Sequence, residues 1–148
     1  MSGLELQRAL EQEASTLPII FLTGRGDIAS SVRAMKHGAA DFLTKPVDDT
    51  DLIAAIHDAL ARDKAQRISR SERERVAKSL SSLTERERQV LEQIVAGRLN
   101  KQIAADLGTS EKTIKFHRGN LMRKMGVRVL ADLVKMAERA GVGSASRA

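Results

Sequence analysis

The chain has no cysteine among its 148 residues, and it has no long apolar segment. Without cysteine it can form neither disulfides nor thiolate metal sites, and nothing indicates an oxidising compartment. The longest apolar stretch, residues 17–22, is far too short to span a bilayer and contains Pro18. The N-terminus lacks the basic, then apolar, pattern of a signal peptide. These absences predict a cytoplasmic protein that has no membrane partner.

Charge is unevenly distributed along the chain. Residues 1–61 carry five Lys or Arg against nine Asp or Glu, whereas residues 62–78 carry seven against three and residues 79–148 thirteen against seven. An acidic front and a basic back indicate two units, the second facing a polyanion such as nucleic acid or an anionic membrane. A solvated basic surface is the alternative interpretation.

The front half alternates between helical and strand patterns. The predicted order is helix, strand, helix, strand, helix, at residues 4–14, 19–22, 27–38, 41–44 and from about 48 onward. The apolar run Ile19–Leu22 is typical of a strand that is buried on both faces of a parallel sheet. Asp27 can cap the second helix and Gly38 can end it. This order predicts an α/β fold with parallel strands and right-handed crossovers.

The segments PIIFLTGRGD and GAADFLTKPVD resemble the last two strands of a response-regulator receiver domain, which has a flavodoxin-like fold. The resemblance covers residues 2–62. It implies that Thr23 hydrogen-bonds a phosphoryl group, that Lys45 pairs with that group, and that the Phe42 ring changes rotamer on activation. It also implies a cis Lys45–Pro46 peptide. These three side chains would be remnants of the receiver switch.

The same resemblance implies that the first half of the receiver is absent, together with its phosphoacceptor and expected Mg²⁺ ligands. We therefore expect this form not to be phosphorylated. The aspartates are explained as caps and loop charges, at Asp27, Asp41, Asp48, Asp49 and Asp51. A two-stranded remnant would expose sheet edges, so it should associate with another copy or be poorly ordered alone. Its second and third helices and second strand match the face through which many receivers dimerise.

The stretch from Arg62 to Ser82 is rich in Arg, Ser and Glu and contains neither glycine nor proline. This composition predicts a largely helical connector. The predicted organisation is therefore a truncated receiver-like segment at 1–62, a helical linker at 63–79 and an all-α DNA-binding domain at 80–148.

The back half has the small residues and caps of a helix-turn-helix. Thr84 and Glu87 form a capping-box pattern, Asn100 can cap the next helix, and Ser110 can cap a third that continues through Met125. Gly108 suits the turn between the last two helices, where positive φ is required. Small and apolar residues would fill the wedge between them, at Ile103, Ala104, Leu107 and Ile114. A generic helical bundle is the alternative.

The third helix has two different faces when it is placed on a wheel at 100° per residue. One is apolar, with Ile114, Leu121 and Met125, and the other suits a DNA major groove. The residues expected to contact bases are Lys112, Lys115, Phe116 and Gly119. Those expected to contact phosphates are Thr113, Arg118, Arg123 and Lys124. For Phe116, packing against a neighbour is an equally open interpretation.

The stretch LTERERQVLEQIVAGRLNKQIAADLGTSEKTIKFHRGNLMRKMGV closely resembles the LuxR-type DNA-binding domain over residues 80–142. The resemblance implies that residues 110–125 form the recognition helix. It also implies that residues 129–140 form a fourth helix that mediates dimerisation through Leu130, Leu133 and Val134. Val129 departs from the usual capping Ser or Asn, which weakens that helix start by about 1 kcal/mol.

Together the two resemblances identify a two-component response regulator of the LuxR/FixJ type, which takes part in a phosphorelay and binds double-stranded DNA as a homodimer. Other partners that this class admits are RNA polymerase and a full-length response regulator. The contrasting possibility is an interaction module that draws a full-length regulator into heterodimers, with DNA binding incidental. Those partnerships depend on the resemblance alone.

An enzyme is weakly supported by the sequence. The three histidines, His37, His57 and His117, lack the spacing of a metal site or nucleophile relay. Gly24-Arg25-Gly26 lacks the third glycine of a dinucleotide fingerprint. We therefore expect no catalytic residues, no metal and no cofactor.

Overall fold

The structure is a computed structural model that describes residues 1–24 and 27–143. Arg25 and Gly26 of the predicted loop, and the last five residues of the predicted C-terminal domain, lie outside the described residues. The chain divides into two compact units, Met1–Ser69 and a second that begins at Arg70. Its elements are α1 (Gly3–Gln12), β1 (Ile20–Thr23), α2 (Ile28–Lys36), β2 (Asp41–Thr44), α3 (Asp49–Ser81), α4 (Glu85–Val95), α5 (Asn100–Leu107), α6 (Glu111–Met125) and α7 (Leu130–Arg139).

The first unit contains the predicted parallel strand pair. β1 and β2 run in register from Ile20 opposite Asp41 to Thr23 opposite Thr44. As predicted, Asp27 caps α2, accepting a hydrogen bond from the Ser30 amide at 2.6 Å. The α/β pattern of the sequence is therefore present in the first unit.

The prediction that the first strand is buried on both faces is wrong. Leu22 is 42% exposed, and the other residues of β1 are half-buried. The buried apolar residues of this unit are small, namely Ala34, Ala39, Ala55 and Ala59. The sheet described here has two strands, so its faces and edges are covered less completely than those of a wider parallel sheet.

A buried glutamine ties α1 to the end of α2. Gln7 is almost fully buried, and its Nε2 donates to the Ala34 carbonyl at 2.9 Å and the His37 carbonyl at 3.1 Å. Ser2 and Glu5 form a capping box at the start of α1. The sequence pattern predicts the helix but neither of these two features.

The connector is helical, as its composition predicted, and it forms the later part of the 33-residue helix α3. Near the end of this helix, Val76 is buried and Leu80 is partly buried in the core of the second unit. The Arg88 guanidinium also donates to the Leu80 carbonyl at 3.1 Å. The last turns of α3 therefore contribute to the second unit.

The second unit has a larger apolar core than the first. Its largest fully buried side chains are Leu91, Ile103, Ile114, Leu121, Met125, Leu133 and Val90. The predicted capping box starts α4, where Thr84 Oγ1 accepts from the Glu87 amide at 3.1 Å and Glu87 Oε2 accepts from the Thr84 amide at 2.9 Å. One predicted cap is wrong: Leu99 occupies the cap position of α5, and Asn100 is the first helical residue.

Candidate nucleic-acid interface

The helix-turn-helix consists of α5, a tight turn and α6. Gly108 adopts φ 63°, the left-handed conformation predicted for the turn, and the Thr109 amide donates to the Ala104 carbonyl at 2.9 Å. Ser110 then caps α6 by accepting from the Thr113 amide at 3.2 Å. Local backbone requirements and a side-chain cap thus place both ends of the turn.

α6 is anchored to the rest of the unit by one face. Ile114, Leu121 and Met125 are completely buried, as the helical wheel predicted. They share one core with residues of α4, α5 and α7. Burial of this face leaves the opposite side of α6 directed away from the core.

The four residues predicted to contact bases all lie on the exposed side of α6. Lys112, Lys115 and Gly119 are exposed, and Phe116 is 65% exposed. Within residues 1–24 and 27–143, neither lysine makes a hydrogen bond or an ion pair. Phe116 meets the His117 ring edge-on, with the centroids 5.9 Å apart, but is otherwise open to solvent. The exposed side of α6 therefore presents two lysines without a partner among the described residues, together with an aromatic ring.

Gly119 is in the interior of α6, where glycine is unfavourable by about 1 kcal/mol relative to alanine. A Cβ added there would have no heavy atom of the described residues within 4 Å. No positive φ requires glycine at this position either. Packing within the unit therefore does not explain the residue, whereas close approach by an external molecule would.

The residues predicted to contact phosphates have different surroundings. Thr113 is half-buried, and its hydroxyl lies 2.9 Å from the Ser110 hydroxyl. The half-buried Arg118 donates to Asn100 Oδ1 at 3.2 Å, which ties α6 to the start of α5. Arg123 is exposed and donates to Asn120 Oδ1 of its own helix at 3.1 Å.

Lys124 differs from the other predicted phosphate contacts. Its ammonium donates to Glu87 Oε2 at 2.8 Å and to the Ser82 carbonyl at 3.2 Å. Burial alone would raise the pKa of Glu87, but the Lys124 ammonium and the Thr84 amide hydrogen-bond its carboxylate and hold the pKa below its ordinary value. The Lys124 side chain is 35% exposed, but its charge is already paired with a carboxylate of its own unit, which argues against its predicted phosphate contact.

The predicted dimerisation residues on α7 need a correction. Leu133 is completely buried in the core of its own unit, so its side chain is not available to a partner. Leu130 and Val134 are half-buried and pack against that core. Val129 precedes α7 without a side-chain cap hydrogen bond, as expected from its apolar side chain.

The structure brings two of the three predicted receiver residues together in the first unit. The Lys45 amide donates to the Thr23 carbonyl at 2.7 Å, so the ends of β1 and β2 are adjacent. Phe42 is half-buried and stacks on Phe21 with the ring centroids 5.9 Å apart. The Lys45–Pro46 peptide is cis, as the resemblance implied.

Two models of known families match the chain. The model of the response regulator receiver domain matches residues 1–57, and that of bacterial regulatory proteins of the luxR family matches residues 81–137. A receiver domain is thus recognised at 1–57, and the match gives no support to the expectation that its first half is absent. Within the described residues, no helix is long and apolar enough to cross a membrane.

Curated relatives resemble the chain along almost all of its length. It is 46% identical over 148 residues to the transcriptional regulatory protein FixJ of Azorhizobium caulinodans, covering the whole chain and 70% of FixJ. It is 45% identical to Nodulation protein W of Bradyrhizobium diazoefficiens, covering 97% of the chain but 63% of that relative.

A solved structure of the response regulator StyR resembles this fold. Its TM-score is 0.82 at 45% identity, and the match covers 94% of this chain and 70% of StyR. The chain therefore belongs to the LuxR/FixJ-type response regulators, a family of two-component, DNA-binding regulators of transcription.

Proposed function

We propose that this chain regulates transcription by binding specific sequences in duplex DNA through α6. One observation carries the proposal: the exposed side of α6 presents Lys112 and Lys115 beside Gly119, which packing within the unit does not require. Such a face suits a major groove, where lysines donate to guanine acceptors and glycine permits close approach.

The proposed roles follow from exposure and existing partners. Lys112, Lys115 and Phe116 contact base edges, the ring touching a thymine methyl group. Arg123 contacts phosphate, because it is exposed and its hydrogen bond to Asn120 leaves other guanidinium donors available. Thr113 and Arg118 contact the backbone nearer the start of α6, with Arg118 also holding Asn100. Lys124 is assigned to the ion pair with Glu87 and not to phosphate.

The experiment is selection of bound duplexes from a random DNA pool, followed by affinity measurements on the selected sequence. Lys115→Ala should weaken specific binding by about 1–3 kcal/mol and relax the preference at one base pair. Lys135→Ala is the control, since that exposed lysine lies on α7. Equal affinities for Lys115→Ala and the wild type would contradict the role of α6.

We also propose that the chain binds DNA as a homodimer. Paired half-sites are the usual target of helix-turn-helix dimers. The first unit exposes apolar side chains on α2, where Ile28 is 83% exposed and Val32 and Met35 are also exposed. Exposed apolar residues in helical register favour a protein partner. A heterodimer with a full-length response regulator is the second candidate, and it uses the same exposed residues.

We also propose that DNA binding does not depend on phosphorylation. In this proposal the receiver segment acts without accepting a phosphoryl group. The support is that the core around α6 is built from residues between Val76 and Val142, all of the second unit. The geometry of the proposed interface therefore needs no contribution from the first unit. A small-molecule phosphodonor should leave DNA affinity unchanged, and a several-fold response would contradict this proposal.

A further inference from the structure

The start of α4 and the last turn of α6 are joined by an ion pair whose carboxylate is buried and whose lysine side chain is 35% exposed. Glu87 is 4% exposed, and one of its carboxylate oxygens accepts from both the Thr84 amide and the Lys124 ammonium. Lys124 also donates to the Ser82 carbonyl, so its ammonium has one acceptor in the first turn of α4 and one on the segment that precedes it. The two charged residues are 37 positions apart in the sequence.

This pair is directional, as is the hydrogen bond from Arg118 to Asn100 at the other end of α6, whereas the buried face between them is apolar. Ile114, Leu121 and Met125 bury one face, but hydrophobic burial has no preferred direction and tolerates small rotations. A charged hydrogen bond depends on distance and angle. Base readout requires side chains to be held within about 0.5 Å of their working positions. The ion pair supplies such a constraint at the C-terminal end of α6, and the Arg118–Asn100 hydrogen bond supplies one nearer its start.

We propose that Glu87 and Lys124 are positioning residues that fix the orientation of α6, and that Lys124 is not a phosphate contact. The inference rests on the proposed function, since it concerns how α6 is presented to DNA. The pair then contributes to discrimination between sequences and not to general attraction for DNA. Arg123, whose side-chain hydrogen bond is to the neutral Asn120, contributes the general attraction.

Salt dependence of DNA binding by the full chain separates these roles. Each lost phosphate contact lowers the slope of log affinity against log salt by about 1. Arg123→Gln should show that loss and weaken selected and unrelated duplexes equally. Lys124→Gln should keep the wild-type slope and the affinity for unrelated DNA. Its affinity for the selected duplex should fall about tenfold, the scale of losing one base contact.

The Glu87→Gln variant should change DNA affinity in opposite directions, depending on whether Lys124 is a positioning residue or a phosphate contact. If Lys124 is a positioning residue, loss of its partner should lower specific affinity about tenfold with no change of slope, as Lys124→Gln does. The variant that carries both Glu87→Gln and Lys124→Gln should then bind the selected duplex no more weakly than either single variant, because each substitution removes the same interaction. If Lys124 contacts phosphate, releasing it from Glu87 should raise affinity for every duplex.

Variants that leave one charge buried can lose the fold, so a third variant is needed. Replacing both Glu87 and Lys124 by methionine removes both charges and leaves no unpaired carboxylate in the core, and such an exchange often preserves stability. Circular dichroism checks the fold, and this double variant should bind unrelated DNA normally but the selected duplex about tenfold more weakly. Wild-type specificity in this variant would overturn the inference.

The proposed function and this inference fail in different ways. If the wild-type chain binds no duplex, the proposed function is contradicted, and the inference with it. If the wild type binds normally but Lys124→Gln loses as much slope as Arg123→Gln, the inference alone is overturned.

Discussion

At the scale of single residues, Gly119 shows how folding and binding can make different demands on one position. A glycine inside a helix is unfavourable because its backbone loses more freedom on folding than that of alanine. Nothing within 4 Å of its missing Cβ, among the described residues, compensates for that loss. The compensation is expected from DNA, which can approach the helix where a side chain is missing.

Gly119→Ala should therefore separate stability from binding. The free energy of unfolding should rise by about 0.5–1 kcal/mol, because alanine is the better helix former and has room here. Affinity for the selected duplex should fall, because the methyl group keeps the helix away from the bases. Denaturant unfolding and fluorescence anisotropy measure the two quantities. A more stable variant with undiminished affinity would show that the groove does not approach this position.

Glu87 predicts a pH dependence of stability. Burial would raise its pKa, but hydrogen bonds from Lys124 and Thr84 outweigh burial, and the pKa lies below the ordinary value of 4.5. A carboxyl group with a lowered pKa stabilises the fold above that ordinary value, and this contribution is lost as pH falls through the folded-state pKa. The free energy of unfolding should decrease below about pH 4.5, and Glu87→Gln should flatten that decrease.

Glu72→Gln is the control for this measurement. The pKa of Glu72 is also lowered, by its hydrogen bond from Arg75, but that pair lies on the surface of α3. Because water and salt screen exposed pairs, this variant should alter the pH profile less. Equal changes for both variants would mean that burial of the Glu87 carboxylate does not strengthen its ion pair.

At the scale of elements, the sequence predicts best what depends on local signals. The starts of α4 and α6 follow from Thr84 and Ser110, whose side chains accept hydrogen bonds from amides three residues later. The end of α5 follows from Gly108, because left-handed backbone favours glycine. The buried face of α6 also follows from 3.6-residue periodicity. These features place the candidate site before any tertiary contact is known.

Contacts between distant segments were not predictable in this way. The Thr84–Glu87 capping box was recognised, but the lysine that pairs with Glu87 is contributed by another helix. Leu133 matched a dimerisation position by resemblance, yet the structure buries it within its own unit. The missed cap of α5 has a different cause: the Asn100 side chain accepts from Arg118 of α6 instead of capping its own helix.

Helix caps give a prediction at this scale. Thr84→Ala should lower the free energy of unfolding by about 1 kcal/mol, because the Glu87 amide loses its acceptor. Val129→Ser should raise it by about 0.5–1 kcal/mol, because the α7 cap position is extended and lacks a side-chain hydrogen bond. Urea unfolding with unchanged m-values measures both. No gain from Val129→Ser would indicate that the apolar side chain contributes more than a cap.

At the scale of the whole molecule, the two units differ in how they bury apolar surface. The second encloses large aliphatic side chains such as Leu91, Leu121 and Leu133, whereas the buried apolar residues of the first are alanines. The first unit leaves larger side chains exposed, including Leu60 and Ile53 on α3. This contrast supports a regulator that recognises DNA with its second unit and a protein partner with its first.

Self-association should depend on the exposed face of α2. Val32→Glu should weaken association by adding a charge to an apolar contact, without altering the fold of a position that is already exposed. Sedimentation velocity over a range of concentrations measures this effect. Leu99→Glu, at an exposed position of the second unit, is the matched control. If both variants associate like the wild type, the dimer does not use α2.

The most direct test of the proposed function is a titration of the isotope-labelled full chain with the selected duplex, followed by NMR. The backbone amides of Lys112, Lys115, Phe116 and Gly119 should show the largest shift changes, and an unrelated duplex should perturb them less. Changes that avoid α6, or that are the same for both duplexes, would contradict sequence-specific binding by this helix.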